Sequence, residues 1–184
     1  KLQNGSDIRG VAMEGIEGQP VSLTEEAVEN IAKAFVLYLQ EKFNKSELRL
    51  SIGRDSRLSG ERLLSSAAKG ILEMGADLAD FGLASTPSMF MSTVTPGYEF
   101  DGAIMLTASH LPWNRNGIKF FTKNGGLEKS DIAGILASAE ADAFIPAAER
   151  GKFEQTDFLS VYAQGLVDRI RSGVNAEDYE HPLK

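Results

Sequence analysis

The chain contains no cysteine. Disulfides and thiolate-metal sites are therefore excluded, and the composition fits a reducing, cytoplasmic setting. Basic residues are in deficit, with 19 Lys and Arg against 26 Asp and Glu and a formal net charge of −7. A nucleic-acid binder usually presents a basic face, so that class is disfavoured. No apolar run approaches the roughly 20 residues needed to cross a bilayer. The opening KLQNGSDIRG carries no apolar targeting segment. Histidine is scarce too: only His110 and His181 occur.

What is present is a 184-residue chain, 42% hydrophobic. That suits one domain with a real core, or one domain with a tail. Basic side chains gather around a few segments: Arg9, Arg54, Arg57, His110, Arg115 and Lys119. In an acidic chain such a gathering marks either a local anionic ligand or ordinary solvated charge. The first residue is Lys and the last four read HPLK after a polar stretch. Both ends look cut, as expected of a fragment.

Periodicity orders the elements. Ser22 and Glu25 have capping-box spacing, and Val28, Ile31, Phe35 and Leu39 form a helical stripe that stops near Asn44. ELRLSIG alternates as a strand. RDSRLSG turns into a second helix with Ser59 as N-cap, a stripe through Leu64, Ala67, Ala68 and Ile71, and Gly75 at its end. DLADFG predicts a strand, and STPSMFMSTV a short helix capped by Thr86 with Pro87 first. GAIMLT is continuous enough for a strand covered on both faces. IKFFT predicts another strand, joined to it by an Asn116-Gly117 turn and hence antiparallel. KSDIAGILASAEA and FEQTDFLSVYAQGLVDRIRS predict helices, and GVNAEDYEHPLK a linker. Strands alternate with helices at βαβ spacing, which predicts a three-layer α/β/α domain on a mixed, mostly parallel sheet with one antiparallel hairpin strand. The domain would span 1–172 and the linker 173–184.

The chemistry centres on LTASHLPWNRNGIKFF, Leu106–Phe121. Ser109 lies just beyond the GAIMLT strand, and ligands of open α/β sheets bind outside strand carboxyl ends. A turn serine bonded to its own backbone would occupy the same place. A hydrolase triad fits poorly. The GxSxG elbow is absent, His110 is an immediate neighbour, and His181 falls in the linker. Phosphoryl chemistry fits better, because a phosphoserine needs nearby cations and N–H donors. The hairpin would fold Lys119 back toward Ser109, and Ala108, Asn114, Asn116 and Gly117 suit a tight loop. No Walker A or dinucleotide fingerprint occurs, so phosphate would be carried covalently on Ser109.

TASHLPWNRNGIKF resembles the active-site signature of the α-D-phosphohexomutases, the phosphoglucomutase/phosphomannomutase superfamily: Thr-[Ala/Gly]-Ser-His-x-Pro followed by Asn-Gly-x-Lys. DIRG at Asp7–Gly10 resembles the family's N-terminal active-site strand and loop. IGRDSRLSG at Ile52–Gly60 resembles its GxDxRxSG segment, and the three occur in the family's order. The resemblance implies an N-terminal domain of a four-domain enzyme interconverting hexose 1-phosphate and hexose 6-phosphate through a bisphosphate. Ser109 would be the phosphoryl carrier, with Lys119 and Arg9 as electrostatic and acid-base helpers and His110 orienting groups in the site. Asn116 and Gly117 would shape the loop. Mg2+ would bind partly through the Ser109 phosphate, and its other ligands would lie outside this chain, which has no DxDxD pattern. Partners would be hexose phosphate, hexose bisphosphate and the remaining three domains, with no nucleic acid and no membrane. The fragment alone would be inactive. The alternative is a standalone, non-catalytic phosphosugar-binding module.

Arg54, Asp55 and Arg57 are expected to be mostly structural, with ion pairs pinning their loop. Trp113 has two readings, an exposed loop aromatic near the sugar or a side chain packed at a domain interface, and packing is the favoured one. Two positions depart from the family pattern. Leu111 stands where many members have Asn, and Ser6 where some have Tyr. Both leave sugar preference open.

Overall fold

Short strands open the chain. In the computed structural model, which describes residues 2–174, β1 (Gln3–Asn4) and β2 (Asp7–Val11) pair antiparallel. Helix α1 spans Glu25–Phe43. Its cap is Thr24, whose hydroxyl accepts the Ala27 N–H at 3.1 Å. Ser22, expected in that role, instead accepts the Val11 N–H at 3.0 Å and ties the incoming loop to β2. Asn44 stops the helix in the left-handed conformation, as its residue type allows.

The next elements follow in βα alternation. They are β3 (Arg49–Arg54), α2 (Gly60–Glu73), β4 (Asp77–Leu83), α3 (Thr86–Ser92) and β5 (Gly102–Leu106). Gly75 follows α2 with φ +81, the conformation a terminal glycine supplies cheaply. Ser59 holds the N-cap position of α2 but makes no capping bond. Its hydroxyl is engaged by Asn116 Nδ2 at 2.9 Å. Helix α3 is capped by Ser85 in a reciprocal pair with Ser88, so Thr86 is its first residue and not its cap.

The chain continues through β6 (Arg115–Thr122), β7 (Gly125–Gly126), α4 (Lys129–Ala141), β8 (Phe153–Gln155) and α5 (Phe158–Gly173). Two expectations change here. Asn116-Gly117 is not a turn but lies inside β6, paired with Gly10 and Arg9 of β2. The predicted final helix is shorter, because Phe153–Gln155 pairs parallel with Leu78–Asp80 at the sheet edge. Asp157 then caps α5 through Ser160 N–H. Most of the predicted linker lies outside the described residues.

Among the described residues the sheet has eight strands, in the order β1-β2-β6-β5-β3-β4-β8, with β7 on β6. β3, β4, β5 and β8 are mutually parallel. β6 is the expected antiparallel strand, and the two-residue β1 is a second. Helices α1, α2 and α4 cover one face over a core that includes Ile8, Phe35, Ile118 and Phe120. Phe35 and Phe120 meet with centroids 4.4 Å apart. Helices α3 and α5 cover part of the other face, over Phe81, Met89, Phe100, Met105 and Phe158. Each such side chain contributes roughly 1.5–3 kcal/mol on burial, so the two clusters set the three layers. No helix among the described residues is long and apolar enough to cross a membrane.

Candidate active site

β3 and β5 run side by side and end together, with Arg54 opposite Leu106. The segment after β5 is therefore held against the segment after β3. Asp55 N–H bonds the Leu106 carbonyl at 3.1 Å, and Thr107 N–H bonds the Gly117 carbonyl at 3.0 Å. Ser109 sits one step further out, exposed, with φ +56. That left-handed conformation costs a non-glycine residue roughly 1–2 kcal/mol and persists only where neighbours enforce it.

The neighbours are identifiable. Thr107, not Ser109, makes the local turn bond: its Oγ1 accepts the Ser109 N–H at 2.9 Å and donates to Asp55 Oδ2 at 2.7 Å. Arg57 then gathers the loop backbone. Its Nη2 donates to the carbonyls of Ser109 (2.9 Å) and Leu111 (2.8 Å). Its Nη1 donates to those of Pro112 (2.8 Å) and Arg115 (2.9 Å). Its Nε lies 3.3 Å from Asp55 Oδ2, an ion pair without hydrogen-bond alignment. Asp55 Oδ1 also accepts the Arg57 N–H at 3.1 Å. The Ser109 hydroxyl makes no hydrogen bond among the described residues. His110 is exposed and likewise unbonded, so the two do not form a nucleophile–base pair in this structure.

A second group forms on β2 and β6. Ile8 and Ile118 point into the main core, so strand alternation puts Arg9 and Lys119 on the opposite face. There both converge on Asp7 Oδ2, Lys119 Nζ at 2.5 Å and Arg9 Nη2 at 3.0 Å. All three side chains are only 15–20% exposed. Arg9 Nε is buried with no acceptor among the described residues, a donor that an anionic ligand would satisfy. The structure brings Arg9 and Lys119 together, but neither bonds Ser109. Asn116 and Gly117 stand at the base of the loop, in β6, and not in the loop itself. Asn116 is fully buried and links β6 to the start of α2 through Ser59. A Cβ on Gly117 would lie 2.4 Å from the Ile8 carbonyl and 2.9 Å from that of Thr107. The glycine is required by close backbone approach, not by a turn.

Trp113 is half exposed and rests on the segment before α1: a Cβ on Gly15 would come within 2.9 Å of its ring. Asn114 completes that contact, its carbonyl accepting the N–H groups of Ala12 and Met13 at 2.8 and 3.1 Å. Asp7 was not singled out from the sequence, although its position two before Arg9 on a strand places it on the same face. The carbonyl contacts of Arg57 had no sequence signal. Among the described residues no three His, Asp or Glu side chains cluster as a metal site. The described side chains by themselves therefore make no self-sufficient Mg2+ site.

The fold and loop define a class: a three-layer α/β/α domain presenting a serine loop at the carboxyl ends of its parallel strands. Residues 1–145 match the family model "Phosphoglucomutase/phosphomannomutase, alpha/beta/alpha domain I". A phosphoglucomutase/phosphomannomutase of Thermococcus kodakarensis is 32% identical over 173 residues, 92% of this chain and 36% of that protein. A phosphomannomutase of Escherichia coli is 31% identical over 97% of this chain and 36% of its own length. A solved phosphoglucomutase/phosphomannomutase family protein from Burkholderia thailandensis superposes with a TM-score of 0.72 at 25% identity, covering 93% of this chain and 35% of that one. The chain belongs to the phosphoglucomutase/phosphomannomutase domain I family. It spans about a third of the length of the curated relatives it matches.

Proposed function

We propose that this chain is the phosphoserine-loop domain of a phosphohexomutase that interconverts hexose 1-phosphate and hexose 6-phosphate. The observation that carries the reading is Ser109 itself. Its backbone is held in a strained conformation by Thr107 and Arg57 while its hydroxyl is left exposed and unbonded. A serine kept for structure would use that hydroxyl, as Ser59 and Ser22 do.

In the resting state Ser109 Oγ carries a phosphoryl group. The bond from phosphorus to Oγ breaks as a bond to a sugar hydroxyl oxygen forms; the hydroxyl proton passes to a base, and the freed Ser109 Oγ takes up a proton. The product is a hexose bisphosphate. After the sugar turns over, the bond from its other phosphoryl group to the sugar oxygen breaks as a bond to Ser109 Oγ forms; the serine gives up its proton and the freed sugar oxygen gains one, which restores the carrier and releases the isomeric monophosphate. Such transfer depends on positioning and on positive charge around the moving group. Arg9 and Lys119 supply that charge, oriented by Asp7, and Lys119 is the candidate to hold or move the proton. His110 orients groups at the loop. Mg2+, when bound to the whole protein, neutralises phosphoryl charge. In this chain the Ser109 phosphate is the one ligand we assign to it.

The remaining three domains would supply the other metal ligands and the sugar contacts, so this chain alone should not turn over. The setting would be cytoplasmic. The test is mutase activity of the full-length protein with Ser109→Ala. Loss of activity with the fold retained supports the carrier role, and an active alanine variant refutes it.

A further inference from the structure

We propose that Arg57 is a positioning residue for the transfer reaction, a clamp that fixes the Ser109 loop through its backbone. This rests on the mutase reading for its catalytic consequence, but the clamp itself is a separate physical claim. A guanidinium has four N–H bonds on its two terminal nitrogens. In Arg57 these meet four carbonyls of one loop, those of Ser109, Leu111, Pro112 and Arg115, all within 2.8–2.9 Å. The side chain is 12% exposed, and Asp55 holds it from behind. The same Asp55 accepts from Thr107, whose hydroxyl oxygen fixes the Ser109 N–H. The Ser109 peptide is thus held at both ends, its N–H through Thr107 and its carbonyl by Arg57, and both lines end on one carboxylate.

The chemistry explains why the residue is arginine. A lysine offers three N–H bonds from one point and cannot span four carbonyls set around a fork. Bound to carbonyls alone, Arg57 has no terminal N–H left for a phosphate. Its contribution is therefore to where Ser109 Oγ stands, not to the charge that meets substrate. A displacement of about 1 Å at a reacting atom can cost on the order of 100-fold in rate. The effect should appear in kcat with KM little changed, because the groups that bind sugar phosphate are untouched.

Trp113 is the only tryptophan in the chain and sits in the clamped loop. It reports the loop without any activity measurement. The experiment compares wild type, Arg57→Lys and Thr107→Val, with circular dichroism to select folded protein. In this chain, acrylamide quenching of Trp113 is measured. In the full-length protein, kcat and KM are measured alongside. Stronger quenching is expected in both variants, together with a fall of about 100-fold in kcat for Arg57→Lys with KM within about twofold. Unchanged quenching in folded variants overturns the clamp, and a preserved kcat in an active enzyme overturns the positioning role. Should Arg57→Lys fail to fold, Thr107→Val decides by the same readings. An inactive wild-type full-length protein would instead refute the mutase reading, leaving the clamp to be decided by Trp113.

Discussion

Asp7 and Lys119, 112 residues apart in sequence, are joined by an ion pair at 2.5 Å, and the carboxylate oxygen they share also holds Arg9. The pair is mostly shielded from water, so it is worth more than an exposed surface bridge. A double-mutant cycle with Asp7→Ala and Lys119→Ala, followed by urea unfolding, should give a coupling of about 1 kcal/mol. Additivity would show that the two side chains do not cooperate in solution.

The Ser109 backbone is held in the left-handed conformation. Glycine adopts φ +56 without the steric cost of a Cβ, whereas alanine keeps it. Ser109→Gly should therefore be more stable than Ser109→Ala by about 1 kcal/mol, although both lack the hydroxyl. Thermal unfolding of the two variants measures the difference. Equal stability would mean that the loop relaxes out of the left-handed conformation.

Gly117→Ala places a methyl group between two strands, 2.4 Å from one carbonyl oxygen and 2.9 Å from another. Backbone atoms cannot yield as a side chain would, so the variant should lose about 3 kcal/mol, the upper range for overpacking. Chemical denaturation reads this directly. A loss of only a few tenths would show that β2 and β6 can separate at this point.

The helix pair α1 and α2 carries a pH signature. Lys33 bonds Glu29 at 2.9 Å and Glu73 at 2.6 Å, and Lys69 bonds Glu29 at 2.8 Å. Burial works to raise the Glu29 pKa, but the bonds from Lys69 and Lys33 outweigh it and hold the carboxyl below its ordinary 4.5. Burial works to lower the Lys33 pKa, and the bonds to Glu73 and Glu29 outweigh it and hold the amine above 10.5. The Glu29 contribution is thus complete above its unfolded value and lost as pH falls through the folded one. That of Lys33 is complete below its unfolded value and lost as pH rises through the folded one. Glu29→Gln should cost about 1 kcal/mol near neutrality, with the gap to wild type closing below pH 4.5. A constant gap across that range would contradict the ion-pair origin.

The elements legible from sequence were those whose signal is local. The stripe Val28, Ile31, Phe35, Leu39 is buried as read, and α4 matches its predicted span. Local signals failed where pairing across the sheet decides. Phe153–Gln155 is a strand only because Leu78–Asp80 is there to receive it. Asn116-Gly117 has turn chemistry, yet the space between the carbonyls of Ile8 and Thr107 claims the glycine for a strand. Ser22 has cap spacing, but the Val11 N–H claims its hydroxyl, whereas Ser59 does take the N-cap position of α2, with its hydroxyl given to Asn116 instead of to the helix. At the site the loop around Ser109 stood out as a motif. Its support did not, because Arg57 acts on backbone carbonyls that every residue type carries.

Whether Ser109 carries the transferred phosphoryl group, as proposed, can be read by peptide mass spectrometry of the full-length protein after exposure to labelled hexose bisphosphate. One labelled phosphoryl group is expected on the Ser109 peptide, lost on addition of hexose monophosphate and absent from Ser109→Ala. Active enzyme with no phosphoryl group on Ser109, or with the label on another residue, would contradict it.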